Sequence, residues 1–162
     1  MTALPDNSAT VHDGDTLAPV LCAAHETWIR ETDSFLTPII AQEAPFWGRW
    51  TAVRYLDDQF MGQYRRERAL VDELRPFLPP EVAETLIQDG QLIAQLQGEL
   101  DQAGRRRGTG RAVAVTARQL LQSLRSWCAA IEAAAGRIPR DALPEEGGRL
   151  LAELEVYTRT HP

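Results

Sequence analysis

From Trp50 to Phe77 the apolar positions step along the chain by three and four: Val53, Leu56, Phe60, then Leu70, Leu74 and Phe77. That step marks one face of an α-helix. Continued through the gap it lands on Gln63 and Glu67, one turn apart, so a carboxamide and a carboxylate are predicted to point at the core of a helical protein. An unpaired buried carboxylate costs roughly several kcal/mol. Glu67 therefore needs a cation, a proton or a metal ion beside it.

The same periodicity divides the rest of the chain. Residues 1–15 are polar, rich in turn formers and aperiodic, and read as a loose arm ahead of a single helical domain over 16–162. A first helix is expected from about Thr16 to Gln42, capped by Asp15 or Thr16, with Pro19 tolerated in its first turn. Its seam is Leu17, Leu21, Ala24, Trp28, Phe35 or Leu36, and Ile39, with Cys22, His25 and Ile29 in the stripe beside it. After Pro45 a second helix runs from about Phe46 to Leu78. Pro79-Pro80 ends it and starts a third that reaches about Ala103 through Val82, Leu86, Ile93, Leu96 and Leu100, its step also passing through Asp89 beside Gly90. A fourth spans about Ala112 to Ala135 with Leu121, Leu124, Cys128 and Ile131 in register, and a short one from Pro144 to about Thr158 carries Leu150, Leu151, Leu154 and Tyr157. No segment alternates as a strand would. The fold class expected is all-α: an antiparallel up-and-down four-helix bundle with a short additional C-terminal helix.

Composition narrows the chemistry. With 162 residues, 44% apolar and 25% charged, the chain reads as one ordinary globular domain. A net charge of −6 argues against general nucleic-acid binding. All 17 basic residues are arginine, which excludes lysine-nucleophile and Schiff-base chemistry and otherwise fits a GC-rich bacterial genome. Two cysteines are too few for a disulfide framework. No apolar run approaches membrane-spanning length and no leader pattern opens the chain, so a cytoplasmic protein is expected, without membrane or nucleic-acid partners.

Sites in bundle cores are built from inward side chains on facing helices. Cys22 and His25, Gln63 and Glu67, Asp89, and Cys128 and Glu132 supply candidates on four helices, and Gln63-xxx-Glu67 and Cys128-xxx-Glu132 repeat one pattern. Each has a plainer reading. The cysteines serve as small core hydrophobes, His25 as a hydrogen-bonded core histidine, and Glu67 as the partner of an inward arginine such as Arg54 or Arg125. The arginines of the 104–111 loop (Arg105, Arg106, Arg107, Arg111) read as a solvated connection rather than a phosphate site, and His12, Asp13 and Asp15 as metal ligands in residue type only. Neither a Ser/His/Asp nor a Cys/His nucleophile pairing can be read, and no enzyme activity is expected.

The stretch AVRYLDDQFMGQYRRERALVDELRPFLPPEVAETLIQDGQLIAQLQGEL (Ala52–Leu100), together with WCAAIEAAAGRIPRDALPEE (Trp127–Glu146), resembles the hemerythrin-like, cation-binding HHE family over about residues 16–146. The resemblance implies a four-helix bundle built around a non-haem di-iron centre that binds oxygen or senses oxygen, iron or redox state. On that pattern His25 matches the first-helix histidine, Glu67 the second-helix carboxylate and Glu132 the fourth-helix carboxylate. Gln63, Gly90 and Cys128 stand where the family has histidines. The expectation is a degenerate centre in a non-enzymatic regulatory or interaction protein, with no cofactor, its polar residues tied in a network or lining a cavity beside Gly90. Two alternatives stay open. One is an altered zinc or iron site from Cys22, His25, Glu67, Cys128 and Glu132, and the other a small ligand bound in the bundle core. Phe46, Trp47 and Trp50 read either as a surface for a protein partner or a homodimer, or as packing against the long link and the terminal helix.

Overall fold

A computed structural model describes residues 15–106 and 110–162, with the backbone alone at Phe46. The arm expected over 1–15, with its His12 and Asp13, and Arg107 of the basic loop fall largely outside these residues. Among the described residues the protein is helical, with no strand and one isolated bridge between Thr16 and Pro139.

Helix α1 spans Ala18–Ile40. Neither Asp15 nor Thr16 caps it: Leu17 takes the N-cap position without a side-chain bond, and Pro19 lies in the first turn as expected. Its opening amides are instead satisfied from far along the chain, Leu17 N–H by the Ile138 carbonyl and Ala18 N–H by that of Gly136, each at 3.0 Å. Backbone donors at a helix start need such partners wherever they come from. After α1 the chain turns through Gln42, whose φ of 59° lies in the left-handed region.

The single second helix predicted from 46 to 78 is divided. Helix α2 covers Phe46–Tyr55, a wider π turn covers Leu56–Phe60, α3 covers Met61–Leu74, and a tighter turn covers Arg75–Phe77. The π turn buries both Leu56 and Phe60 while Asp57 turns outward. Asp57 there accepts from Gln97 at 3.0 Å and from Arg105 at 2.9 Å. The tightening at Arg75–Phe77 explains why Phe77, expected in the seam, is exposed while Leu74 and Leu78 are buried.

Helices α4 (Pro80–Gly104), α5 (Gly110–Ala135) and α6 (Glu145–Thr160) complete the fold. Helix α5 packs on both α1 and α4. Helix α6 packs on α1 and α3, and Tyr157 Oη donates to Glu31 at 2.7 Å to pin it to α1. The core runs through Leu21, Trp28 and Leu36 of α1, Leu56, Phe60 and Leu74, Ile93 and Leu100 of α4, and Leu124, Trp127 and Ile131 of α5. Among the described residues no helix is long and apolar enough to cross a membrane.

Candidate functional site: a histidine between two carboxylates

Gln63 and Glu67 are both fully buried, as the step through the gap requires. The partner of Glu67 is neither Arg54, which is exposed, nor Arg125, which lies 3.8 Å from Asp33 on the surface. It is His25. On α1, three residues before Trp28, the His25 ring is 1% exposed and stretches between two helices. Its Nε2 lies 2.7 Å from Glu67 Oε1 on α3, and its Nδ1 lies 2.7 Å from Glu132 Oε2 on α5.

That geometry decides the protonation state. A neutral imidazole has one N–H donor, whereas a carboxylate only accepts. Two carboxylates at hydrogen-bond distance are both satisfied when the ring carries both protons. Burial works against that charge, but the charge of Glu67, the hydrogen bonds to Glu132 and Glu67 and the charge of Glu132 together raise the His25 pKa to about 9. The hydrogen bond from His25 holds Glu132 below the ordinary carboxylate range despite burial, with help from the Cys22 thiol.

The triad extends in both directions. Cys22, exposed on α1, donates to Glu132 Oε1 at 3.1 Å. Burial and the neighbouring Glu132 push the Cys22 thiol up to about 11, so it remains a thiol at neutral pH. On the other side Gln63 Nε2 donates to Glu67 Oε2 at 3.0 Å, and Arg66 donates to Gln63 Oε1 at 3.1 Å. Because Arg66 has no acceptor to offer, it fixes the carboxamide so that its NH₂ faces Glu67. Arg66 then lies 3.6 Å from Glu153 of α6. One polar path thus crosses the protein from Glu153 through Arg66, Gln63, Glu67, His25 and Glu132 to Cys22.

Cys128, Asp89 and Gly90 take no part in that path. Cys128 is buried at 1% exposure as a core residue, its thiol pushed well up first by burial and then by the charges of Glu67 and Glu132. Asp89 is exposed, since the inward position on that turn belongs to Gly90. The space beside Gly90 is not a cavity. A Cβ built there would lie 2.9 Å from Trp127 Cζ2, because the indole fills that place. Trp127 Nε1 donates to the Leu86 carbonyl at 2.8 Å and Tyr64 Oη to the Gly90 carbonyl at 2.8 Å, locking both rings over α4.

This donor set does not suit a di-iron centre, for which imidazoles are the apt nitrogen ligands. Gln63 is engaged by Glu67 and Arg66, Gly90 offers no side chain beneath Trp127, and both His25 nitrogens face carboxylates. Among the described residues no group of three or more His, Cys, Asp or Glu is placed to hold a metal ion. Arg66, Tyr64 and Trp127 are the residues of this site that sequence reasoning missed. The signal for Arg66 was its spacing, three residues after Gln63 and so on the same helical face. Comparison with known proteins produced no match, whether to family models, to curated proteins or to solved structures.

Proposed function

We propose that this chain is a hemerythrin-like up-and-down four-helix bundle with an added C-terminal helix. Its centre holds a charged His25–Glu67–Glu132 triad in place of a di-iron pair, and the protein acts without catalysis, as a cytoplasmic regulatory or interaction protein. The observation that supports this reading is the saturation of His25: each ring nitrogen meets a carboxylate oxygen at 2.7 Å, on a side chain that is almost wholly buried. A centre closed in this way holds the helices together through charge. Recognition then falls to the surface, where Trp47 is 73% exposed. The test is metal analysis and an absorption spectrum on protein purified without chelator. Substoichiometric metal and a spectrum with no band beyond the aromatic absorption are expected, and about two irons per chain would overturn the reading. Sedimentation of the wild type against Trp47→Ala tests the homodimer form: a dimer lost in the variant supports it, and a monomer in both removes it.

A second reading has one observation in its favour. Glu132 meets both Cys22 and the His25 Nδ1, so after these side chains shift from the described arrangement, in which no metal-holding group is formed, a zinc or iron ion replacing their protons would meet sulfur, nitrogen and oxygen donors. On this reading the protein is a metal-responsive sensor. Added zinc would raise the melting temperature of the wild type and leave His25→Ala unmoved, whereas equal responses would take His25 out of any such site.

A further inference from the structure

The polar path opens at one end into a cleft of about 450 Å³ between α3 and α6. That volume is in the range of small-molecule sites. Gly62, Arg65, Arg66, Val156 and Tyr157 are among its walls. A side chain at Gly62 would meet nothing within 4 Å of its Cβ, so the absence of one keeps that wall open. The cleft adjoins the π turn, a local departure from α-helix that recurs at functional sites.

Two guanidinium groups face this space on different terms. Arg65 is exposed and makes no hydrogen bond or ion pair among the described residues. Arg66 is held from behind, where Nη1 donates to Gln63, which orients the rest of its fork. Its Nε faces a carboxylate oxygen of Glu153 at 3.6 Å, too far for a hydrogen bond. Glu153 is also paired with Arg149 on its own helix. The edge of Arg66 is thus aimed at a carboxylate position that Glu153 fills incompletely. A planar fork of this kind matches a carboxylate through two parallel N–H···O bonds. Asp58 and Glu153 are also part of the lining, so a ligand with more than one negative charge meets repulsion. Val156 presents an apolar wall, 48% exposed.

We propose that the α3–α6 cleft binds a small monoanionic carboxylic acid with an apolar body. Its carboxylate replaces Glu153 on Arg66, Arg65 closes over it, and its apolar part lies on Val156 and Tyr157. Glu153 retains Arg149 when displaced. Binding in the cleft is independent of what neutralises the triad, so it can fail while the reading of the centre stands.

The experiment is an NMR titration of the full chain at pH 7 with sodium benzoate, and separately with inorganic phosphate. Benzoate should give saturable shifts at the Gly62 amide and the Val156 methyls, with phosphate giving none at the same concentrations. Gly62→Leu, which obstructs the cleft one turn before Arg66, should abolish the benzoate shifts. Arg66→Lys, which keeps the charge but loses the fork, should weaken binding about tenfold. Glu153→Gln, which removes the competing carboxylate, should tighten it several-fold. The absence of saturable shifts, equal shifts with phosphate, or binding unchanged in Glu153→Gln or in Gly62→Leu would each overturn the proposal.

Discussion

The His25 imidazolium makes a direct prediction about alkaline pH. An unperturbed histidine titrates near 6.5, and here the ring is raised to about 9. Each pH unit of displacement corresponds to about 1.36 kcal/mol, so the triad contributes about 3 kcal/mol. Against the roughly 5–15 kcal/mol of a typical domain this is a large share. The sign follows from the direction of the shift. A group that binds its proton more tightly when folded stabilises fully below its unfolded value, near 6.5, and that contribution is lost as pH rises through about 9. Urea unfolding followed by circular dichroism from pH 6 to pH 10 should therefore show stability falling across that window. The ¹⁵N resonances of the His25 ring should hold imidazolium positions at pH 7.5 and cross near 9. A His25 ring that titrates at or below 6.5 would refute the reasoning, whatever the stability curve does.

Further expectations rest on single contacts. Gly90→Ala should destabilise by about 1–3 kcal/mol through overpacking against Trp127, whereas Gly62→Ala should stabilise by about 0.5–1 kcal/mol, since its Cβ meets nothing and glycine weakens a helix interior. Thermal melts of the two variants, moving in opposite directions, check both. Cys22, although exposed, should react with iodoacetamide at pH 7.5 more slowly than a free thiol, because its proton is held up to about pH 11; mass spectrometry of peptides after timed quenching measures this. Trp127→Phe should cost about 0.5–1.5 kcal/mol for the lost bond to the Leu86 carbonyl, read from the urea midpoint. On the acid side, the Glu132 contribution is present above the unfolded carboxylate range and is lost as pH falls through its depressed folded value, so acid unfolding should come at higher pH in Cys22→Ala.

The long-range pattern in the chain was legible because helical period alone determines it. The step of three and four located the four long helical regions and placed Gln63 and Glu67 inside, and their burial at 0% follows from it. What periodicity lacks is any account of which facing residue arrives opposite. His25 and Glu67 are 42 positions apart, and nothing local to either distinguishes the histidine from Arg54 or Arg125 as the counter-charge. His25, Glu67 and Glu132, on three different helices, are in contact through protons. Asp89 shows the limit of a pattern at one-residue resolution. The seam passes between it and Gly90, and the bulk of Trp127 settles which of them faces in. The π turn was hidden because it changes no composition and leaves Leu56 and Phe60 buried, as the step of three and four already had them.

The start of α1 has a consequence for synthesis on the ribosome. Its first amides are bonded to carbonyls of Gly136 and Ile138, and its histidine to Glu132, so α1 is completed by residues made 107 positions or more after His25. At about 5–20 residues per second nascent α1 waits several seconds, with Leu21 and Trp28 uncovered, before those partners emerge. Docking of α1 is thus a late event. A nascent chain stalled before residue 132 should be held by chaperones or cut within α1 more than the full chain, in which α5 and α6 both cover α1.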